Sequence, residues 1–197
     1  MTFIISKLFR RKTSTETVLE QELISPPSTN MTAKEKQLAF IKDSLKPLLK
    51  AEGYKTIGNI WWKINGPFFN LVELQNFSWN SRNSIDFCFN FTTGFTSDIK
   101  NSTKPTIHDG IPYVRESYFE VSKNEYWKGT NGYQIDDSTD LDKFTKQVLK
   151  DFDVLIIPKL NLLTNEDSII SFYSDEFWGP RVKQSLTLRH KNIRIDN

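Results

Sequence analysis

The hydrophobic residues in positions 32–95 follow first the period of a helix and then the period of β-strands. The helical part has one apolar face, which we expect to be buried, formed by Leu38, Ile41, Leu45, Leu48 and Leu49. Phe40 and Pro47 fall on the opposite side, and Pro47 removes an interior hydrogen bond, which predicts a kink. Thr32 and Glu35 have the spacing of a capping box and predict the start of the helix.

Three strands are predicted next, at residues 57–64, 68–77 and 84–93. Asn65-Gly66 between the first two is a strong signal for a tight turn, because both residues tolerate positive φ. The third strand alternates strictly, and its apolar side consists of Ile85, Phe87, Phe89 and Phe91. Its other side consists of Asp86, Cys88, Asn90 and Thr92. This pattern predicts an antiparallel meander with one buried face.

The second half of the chain predicts short strands and then helices. A polar excursion loop at 96–110 precedes short strands near residues 113–121, 126–127 and 133–135. A helix is predicted from Ser138, with an inner face of Leu141, Phe144, Val148, Phe152, Leu155 and Ile156. Pro158 is expected to bend or end it, although Leu160 and Leu163 could continue the stripe. A short third helix is predicted over residues 166–173.

These elements predict an α+β fold, in which an N-terminal amphipathic helix and C-terminal helices pack on one face of an antiparallel meander. We predict a flexible extension and linker at 1–31, a single domain at 32–175 and a tail at 176–197 that the pattern does not place. The first twelve residues put their apolar positions before the basic ones, the reverse of a secretory signal. They predict a partly disordered extension or, alternatively, a weak interfacial membrane anchor.

Composition narrows the choice of partner and compartment. The formal net charge of +2 does not favour a nucleic acid or a membrane as the main partner, and no stretch is apolar enough to predict an integral membrane span. The single cysteine, Cys88, excludes an internal disulfide framework and suits a reducing compartment. We therefore expect a cytoplasmic protein.

Short motifs between residues 35 and 173 resemble the bacterial DUF4304 family, an uncharacterised α+β family. They are a leucine-rich helix that ends in Gly53-Tyr54-Lys55, the aromatics Trp61 and Trp62, then Gln75, Ser78-Trp79, the Phe-rich strand from Phe87, Arg115, Tyr126-Trp127 and Ile157-Pro158. The loop at 96–110 is longer than the family pattern. The resemblance implies a bacterial origin and an α+β fold, and it implies no catalytic residue.

The titratable residues offer few candidates for chemistry. His108-Asp109 could contribute to an acid–base unit, but adjacent side chains rarely point at the same atom, and we expect a solvated loop. Cys88 and two histidines do not have the spacing of a structural zinc site. An acidic cluster, which lacks the Gly and Glu of a calcium loop, consists of Asp136, Asp137, Asp140 and Asp142. We interpret it as stabilising the start of the following helix, with a divalent-ion or basic-partner site as the alternative.

Aromatic residues provide the better candidates for binding. Trp61 and Trp62 face opposite sides of one strand, so one should be core and the other covered or exposed. An exposed Trp beside an Arg is typical of interaction hot spots, which points to Trp79 and Arg82. Candidate binding residues are Trp61, Trp62, Gln75, Trp79, Arg82 and Trp127, and Gln75 shares a strand face with Glu73.

The residues thus favour a non-enzymatic module that binds another protein, with an immunity or antitoxin role as the more specific form. The alternative is a small-molecule or nucleic-acid binding module that uses the sheet face around Gln75 and Glu73. An enzyme would require His108, Glu73 or the acidic cluster to converge in a cleft. We predict no cofactor and no metal.

Overall fold

The computed structural model describes residues 31–100, 104–129 and 132–195. Most of the predicted N-terminal extension, including its hydrophobic and basic residues, lies outside these ranges.

The strands of the described residues form one antiparallel sheet: β1 (Lys55–Ile57), β2 (Ile60–Asn65), β3 (Phe68–Asn76), β4 (Ser84–Phe95), β5 (Val114–Arg115) and β6 (Tyr133–Asp136). The order is β1-β2-β3-β4-β5, and β6 pairs with the beginning of β4. β1 to β5 form the predicted meander, whereas β6 returns to the same edge of β4 that β5 uses. The strand predicted at 57–64 corresponds to β2, but its predicted beginning is wrong, because Gly58 has φ +59 and starts a tight hairpin between β1 and β2.

The helices come before and after the sheet. α1 (Ala33–Ala39), a π-helical segment (Phe40–Leu45) and α2 (Lys46–Ala51) form one continuous N-terminal helix. α3 (Leu141–Asp151), a second π-helical segment (Phe152–Ile156) and α4 (Ile157–Asn161) form another. α5 (Glu166–Phe172) and α6 (Trp178–Ile195) follow. Pro158 does not end the predicted helix, because the π-helical segment before it alters the hydrogen bonding where a proline would clash.

One face of the sheet and the helices enclose the main core. The alternating phenylalanines of β4 point into it as predicted, and Phe89 packs edge-to-face on Phe152 at 4.9 Å. Phe40 and Phe144 make a similar contact at 5.2 Å between the two long helices. The predicted α+β class is confirmed, with the helices packed on one face of an antiparallel sheet.

The other face of the sheet is divided into an apolar and a polar half. A second cluster forms around Trp62, Phe69 and Leu71, and Ile99 and Ile107 of the excursion loop pack against it. This long loop therefore has a structural role, because it keeps an apolar patch of the sheet from water. The polar half continues toward the loop between β3 and β4.

The buried face of the first helix differs from the sequence prediction. Leu38 is 55% exposed, whereas Phe40 is 1% exposed. The π-helical segment is the reason: its i→i+5 hydrogen bonds, such as that from the Lys46 amide to the Ile41 carbonyl, change the angular spacing of the side chains. The chain also remains helical across Pro47, which follows this segment directly.

The tail that the sequence could not place forms α6 and packs back on the domain. Val182 and Leu186 are buried in the main core. Arg189 pairs with Asp98 and lies over the Phe95 ring at 3.8 Å from its centroid. Within the described ranges, no helix combines the length and apolar character needed to cross a membrane.

Candidate interaction site

The loop from Phe77 to Asn83, between β3 and β4, is held in a fixed shape by its own side chains. Asn80 brackets the backbone of Asp86, since its Oδ1 accepts from the Asp86 amide and its Nδ2 donates to the Asp86 carbonyl, both at 2.8 Å. Ser81 Oγ accepts from the amides of Asn83 and Ser84 at 3.3 and 3.1 Å. The polar groups of the loop are thus hydrogen-bonded within the protein, whereas those of a flexible segment would be bonded to water.

Trp79 is displayed on this loop in a defined orientation. Its ring stacks on Phe77 with centroids 4.6 Å apart and planes 8° from parallel. Its Nε1 donates to Asp86 Oδ2 at 2.8 Å. Even so, 59% of Trp79 is exposed. One face of the indole is used for stacking, and the other offers a rigid apolar surface to solvent.

The start of the N-terminal helix lies across a groove from this loop. The Lys34 amide donates to the Arg82 carbonyl at 3.3 Å and joins the two walls. The groove has a volume of about 660 Å³, and Leu38, Phe77 and Arg82 are among the side chains that line it. Arg82 is exposed. The site therefore combines three exposed features, an aliphatic side chain, a guanidinium group and an indole.

On the helix side of the groove, the carboxylate of Glu35 belongs to a capping box. Thr32 and Glu35 cap α1, and the Glu35 carboxylate accepts from the Thr32 amide and hydroxyl, both at 2.8 Å. These hydrogen bonds, first that from the Thr32 backbone, lower the pKa of Glu35. The carboxylate is thus committed to the cap, while Lys34 and Arg82 present positive charge along the groove.

The polar half of the sheet face lies next to this loop and is bonded within itself. Asn90 Nδ2 donates to Gln75 Oε1 at 2.9 Å and to Glu73 Oε2 at 3.3 Å. Arg115 extends from β5 over the Phe77 ring, 5.7 Å from its centroid. Beneath these side chains Cys88 is buried, and burial raises the pKa of its thiol to about 12. Its thiol therefore stays protonated and is a poor nucleophile.

The structure separates the six predicted binding residues into two groups. Trp61 is 1% exposed in the main core, and Trp62 is 9% exposed beneath the excursion loop, so the pair presents little indole surface to a partner. Trp127 is half-buried and packs edge-to-face on Tyr133 at 5.4 Å. The second group is exposed and lies together at the β3–β4 loop and the adjoining sheet face, and it consists of Gln75, Trp79 and Arg82.

Two residues of the site were not found from the sequence. Leu38 was assigned to the core, and only the π-helical segment explains its exposure. Phe77 was read as the last residue of a strand, but it is the base on which Trp79 stacks. The spacing Phe77-Ser78-Trp79 is a usable signal, because two aromatics at i and i+2 share one face of an extended segment.

Among the titratable residues, Asp109 and His190 have structural partners, and His108 is exposed. Asp109 accepts from the Thr106 amide and hydroxyl at 2.7 and 2.8 Å. His190 Nε2 lies 2.8 Å from Glu166 Oε2 on the exposed surface between α5 and α6. In the described ranges no set of three or more His, Cys, Asp or Glu side chains is placed to hold a metal ion.

The acidic cluster joins the starts of two helices. Asp140 Oδ1 accepts from the Lys143 amide at 3.1 Å and caps α3, as the electrostatic interpretation expects. Asp137 Oδ1 accepts from the Ala33 amide at 3.1 Å, at the start of α1.

The fold and this loop define an α+β domain with a rigid, exposed aromatic at one end of its sheet. The chain matches the DUF4304 family, described as a domain of unknown function, over residues 45–161, and it belongs to that family. No curated protein and no solved structure matches the chain.

Proposed function

We propose that this protein is a non-enzymatic module that binds another protein through the β3–β4 loop and the adjoining groove. The observation that carries the proposal is Trp79, which is 59% exposed although it is fixed by stacking on Phe77 and by a hydrogen bond to Asp86. A fixed aromatic loses little side-chain entropy on binding, so more of its burial contributes to affinity.

The surroundings of Trp79 have the composition of an interaction hot spot. Tryptophan and arginine are the residues that dominate measured binding energies, and apolar neighbours exclude water around them. Here Arg82 supplies the guanidinium group, and it lines the groove together with Leu38 of the N-terminal helix and Phe77, on which Trp79 stacks. With Lys34 also on the groove, the complementary partner surface is apolar with acidic side chains at its edge.

The sheet face is the weaker candidate for the primary site. Its polar groups already satisfy one another through Asn90, Gln75 and Glu73, so a ligand would first have to break those hydrogen bonds. The loop and groove require no such exchange, because their apolar surface is already in contact with solvent.

The test is affinity capture of the tagged protein from a lysate of the source organism, with and without nuclease, followed by mass spectrometry. We expect a stoichiometric protein partner with the native sequence and none with the Trp79→Ala/Arg82→Ala variant. With the purified partner, loss of even one hot-spot side chain, worth about 2 kcal/mol, weakens binding by about 30-fold. Calorimetric titration measures that change.

A matched control is available elsewhere on the surface. Phe177 is 57% exposed, and Arg181 lies over its ring at 3.9 Å from the centroid, so Phe177→Ala/Arg181→Ala removes an equivalent aromatic–arginine pair. This variant should retain the partner. Equal capture by the native protein and the Trp79/Arg82 variant would refute the proposed site.

The more specific form of the proposal is an immunity or antitoxin role in a bacterial cytoplasm. In that case the captured partner is a toxin or a related enzyme, and binding inhibits it by occlusion. An activity assay of the purified partner, with and without this protein, separates inhibition from neutral binding. If the retained material is instead nuclease-sensitive, the nucleic-acid alternative is favoured.

A further inference from the structure

The groove beside the β3–β4 loop begins where the N-terminal part of the chain enters the domain. Thr32, which caps α1, is one of the residues that line the groove, and residues 1–30 precede the described part of the chain. Those residues are therefore tethered to the wall of the groove itself. A segment held by a short linker has an effective concentration in the millimolar range, so even a weak contact is enough to place it there.

One stretch of the N-terminal part combines acidic and aliphatic residues. Between positions 13 and 31 the sequence contains no lysine or arginine. Its acidic and aliphatic residues are Glu16, Val18, Leu19, Glu20, Glu22, Leu23 and Ile24. We call residues 16–24 the Glu-rich segment. The first twelve residues have the opposite charge, with three consecutive basic residues at positions 10–12.

The groove is complementary to the Glu-rich segment. The charged residues of its lining are Lys34, Glu35 and Arg82. Because the Glu35 carboxylate is bonded within the capping box, the lining presents an excess of positive charge to a ligand. Leu38, which is 55% exposed, and Phe77 supply the apolar part of the wall. The basic residues at positions 10–12 would be repelled by this lining, whereas the carboxylates of the Glu-rich segment would be attracted to it.

The length of the connection allows the segment to turn back on the groove. Residues 25–31 join the Glu-rich segment to Thr32, and seven residues span at most about 25 Å. A groove of about 660 Å³ that includes Thr32 in its lining lies within that distance. The connection contains Pro26 and Pro27, which restrict the backbone and reduce the conformational entropy that docking would cost.

We propose that residues 16–24 bind in the groove of their own chain. Their aliphatic side chains pack against Leu38 and Phe77, and their carboxylates face Lys34 and Arg82. The consequence rests on the protein-binding function proposed above, because a partner then has to displace the segment and the interface is autoinhibited. If the segment occupies the groove about nine-tenths of the time, the apparent affinity for a partner falls about tenfold.

The test is paramagnetic relaxation enhancement in NMR spectra of the full chain. A nitroxide label is attached to a cysteine introduced by Gln21→Cys, in the middle of the segment. The native Cys88 does not compete for the label, because it is buried and burial raises the pKa of its thiol to about 12. We expect the nitroxide to broaden the amide signals of residues 34–38 and 77–82, on the two walls of the groove.

A pair of matched variants separates docking from the effect of the tether alone. Leu19→Ser/Leu23→Ser removes aliphatic side chains from the segment and should lose most of the broadening. Ile5→Ser/Leu8→Ser makes a comparable change outside the segment and should retain it. Unchanged broadening in Leu19→Ser/Leu23→Ser would overturn the inference, because the tether alone would then bring the label to the groove.

Charge reversal tests the proposed pairing of carboxylates with the groove. Glu20→Lys/Glu22→Lys should lose the broadening, because the segment is then repelled by Lys34 and Arg82. Combining this change with Lys34→Glu/Arg82→Glu should restore it. Failure of the combined variant to restore the broadening would overturn the assigned pairing.

The groove could also receive the segment of a second copy of the chain. A mixture of isotope-labelled protein without nitroxide and nitroxide-labelled protein without isotope reports only contacts between copies. We expect no broadening in this mixture, and broadening would overturn docking within one chain.

These measurements contain no partner, so they are decided independently of the capture experiment. With a captured partner, Leu19→Ser/Leu23→Ser should bind about tenfold more tightly than the native chain. Docking without a captured partner would refute only the protein-binding function. Capture without docking would refute only the present inference.

Discussion

Glu116 occupies a gap in the sheet and gives the sharpest prediction of pH-dependent stability. Along one edge of β4, β5 pairs with Asn90 and Phe91, and β6 pairs with the first residues of the strand. The Phe89 amide lies between these two pairings and donates to Glu116 Oε2 at 2.9 Å. The carboxyl group thus takes the place of a strand backbone. Glu116 is completely buried, and its Oε1 has no partner among the described residues.

This environment favours the neutral acid. Burial raises the pKa of Glu116 from 4.5 to about 7, although hydrogen bonds from its own amide and that of Phe89 and the charge of Arg115 act in the opposite direction. In the unfolded chain the group titrates near 4.5, so the folded state binds more protons between pH 4.5 and about 7. The stability contributed by neutral Glu116 is complete below pH 4.5 and is lost as the pH rises toward 7.

The magnitude follows from linkage. At about 1.4 kcal/mol for each pKa unit, ionisation of Glu116 costs the folded state about 3 kcal/mol by pH 7.5. Glu116→Gln keeps an acceptor for the Phe89 amide and cannot ionise. We therefore expect the free energy of unfolding of the variant, minus that of the native protein, to increase by about 3 kcal/mol between pH 4.5 and 7.5.

Urea unfolding at a series of pH values measures this difference, and carboxylates that titrate elsewhere cancel in the comparison. Glu176→Gln is the control, because it makes the same chemical change at an exposed position and should leave the two curves parallel. If the curves for Glu116→Gln and the native protein are also parallel, the carboxyl group is not held neutral and the reasoning is wrong.

Two further predictions concern stability and are also measured by urea unfolding. Gly132→Ala should cost about 2–5 kcal/mol, because φ is +72 and the new Cβ would lie 2.3 Å from the Phe87 carbonyl oxygen and 2.6 Å from Glu116 Oε1. Gly129→Ala, at φ +63 with open space around it, should cost only about 1–2 kcal/mol, and equal losses would contradict the steric argument. Lys36→Met should cost about 2–4 kcal/mol, because the Lys36 ammonium group donates to the carbonyls of Asp136, Asp137 and Thr139 at 3.3, 2.7 and 2.7 Å. Lys42→Met, at an exposed position of the same helix, should change stability by less than about 0.5 kcal/mol, and a similar loss in both variants would speak against the buried network.

The local pattern of hydrophobic and polar residues predicted those parts of the fold whose geometry depends on a single strand or helix. The strict alternation from Ile85 to Phe91 correctly identified the buried face of β4, and Thr32 and Glu35 form the predicted capping box. Pairings distant in sequence were not predictable. The return of β6 to β4 depends on contacts between residues about fifty positions apart, such as Ile85 with Ile135. No local period encodes such a contact.

The candidate site could be predicted in part for the same reason. Trp79 and Arg82 were selected because an exposed tryptophan beside an arginine in a polar loop is typical of interaction hot spots, and both are exposed. The strand pattern allowed Trp62 to be either covered or exposed. Its burial depends on Ile99 and Ile107, which belong to a loop that the pattern identified only as polar. Coverage of a sheet face by a distant loop is a tertiary property and had to be observed.

The π-helical segment connects the main error of the sequence prediction with the proposed function. In an ordinary α-helix, Leu38 would share the buried stripe with Ile41 and Leu45, and Phe40 would face solvent. With the π-helical segment from Phe40 to Leu45 in place, Phe40 is buried, and Leu38 of the preceding α1 is exposed on the groove that Phe77 and Arg82 also line. Helical segments of this kind occur often at functional sites. An exposed leucine that is maintained at the expense of regular helix geometry is therefore consistent with a groove that binds a partner, and sequence rules are expected to fail at such places.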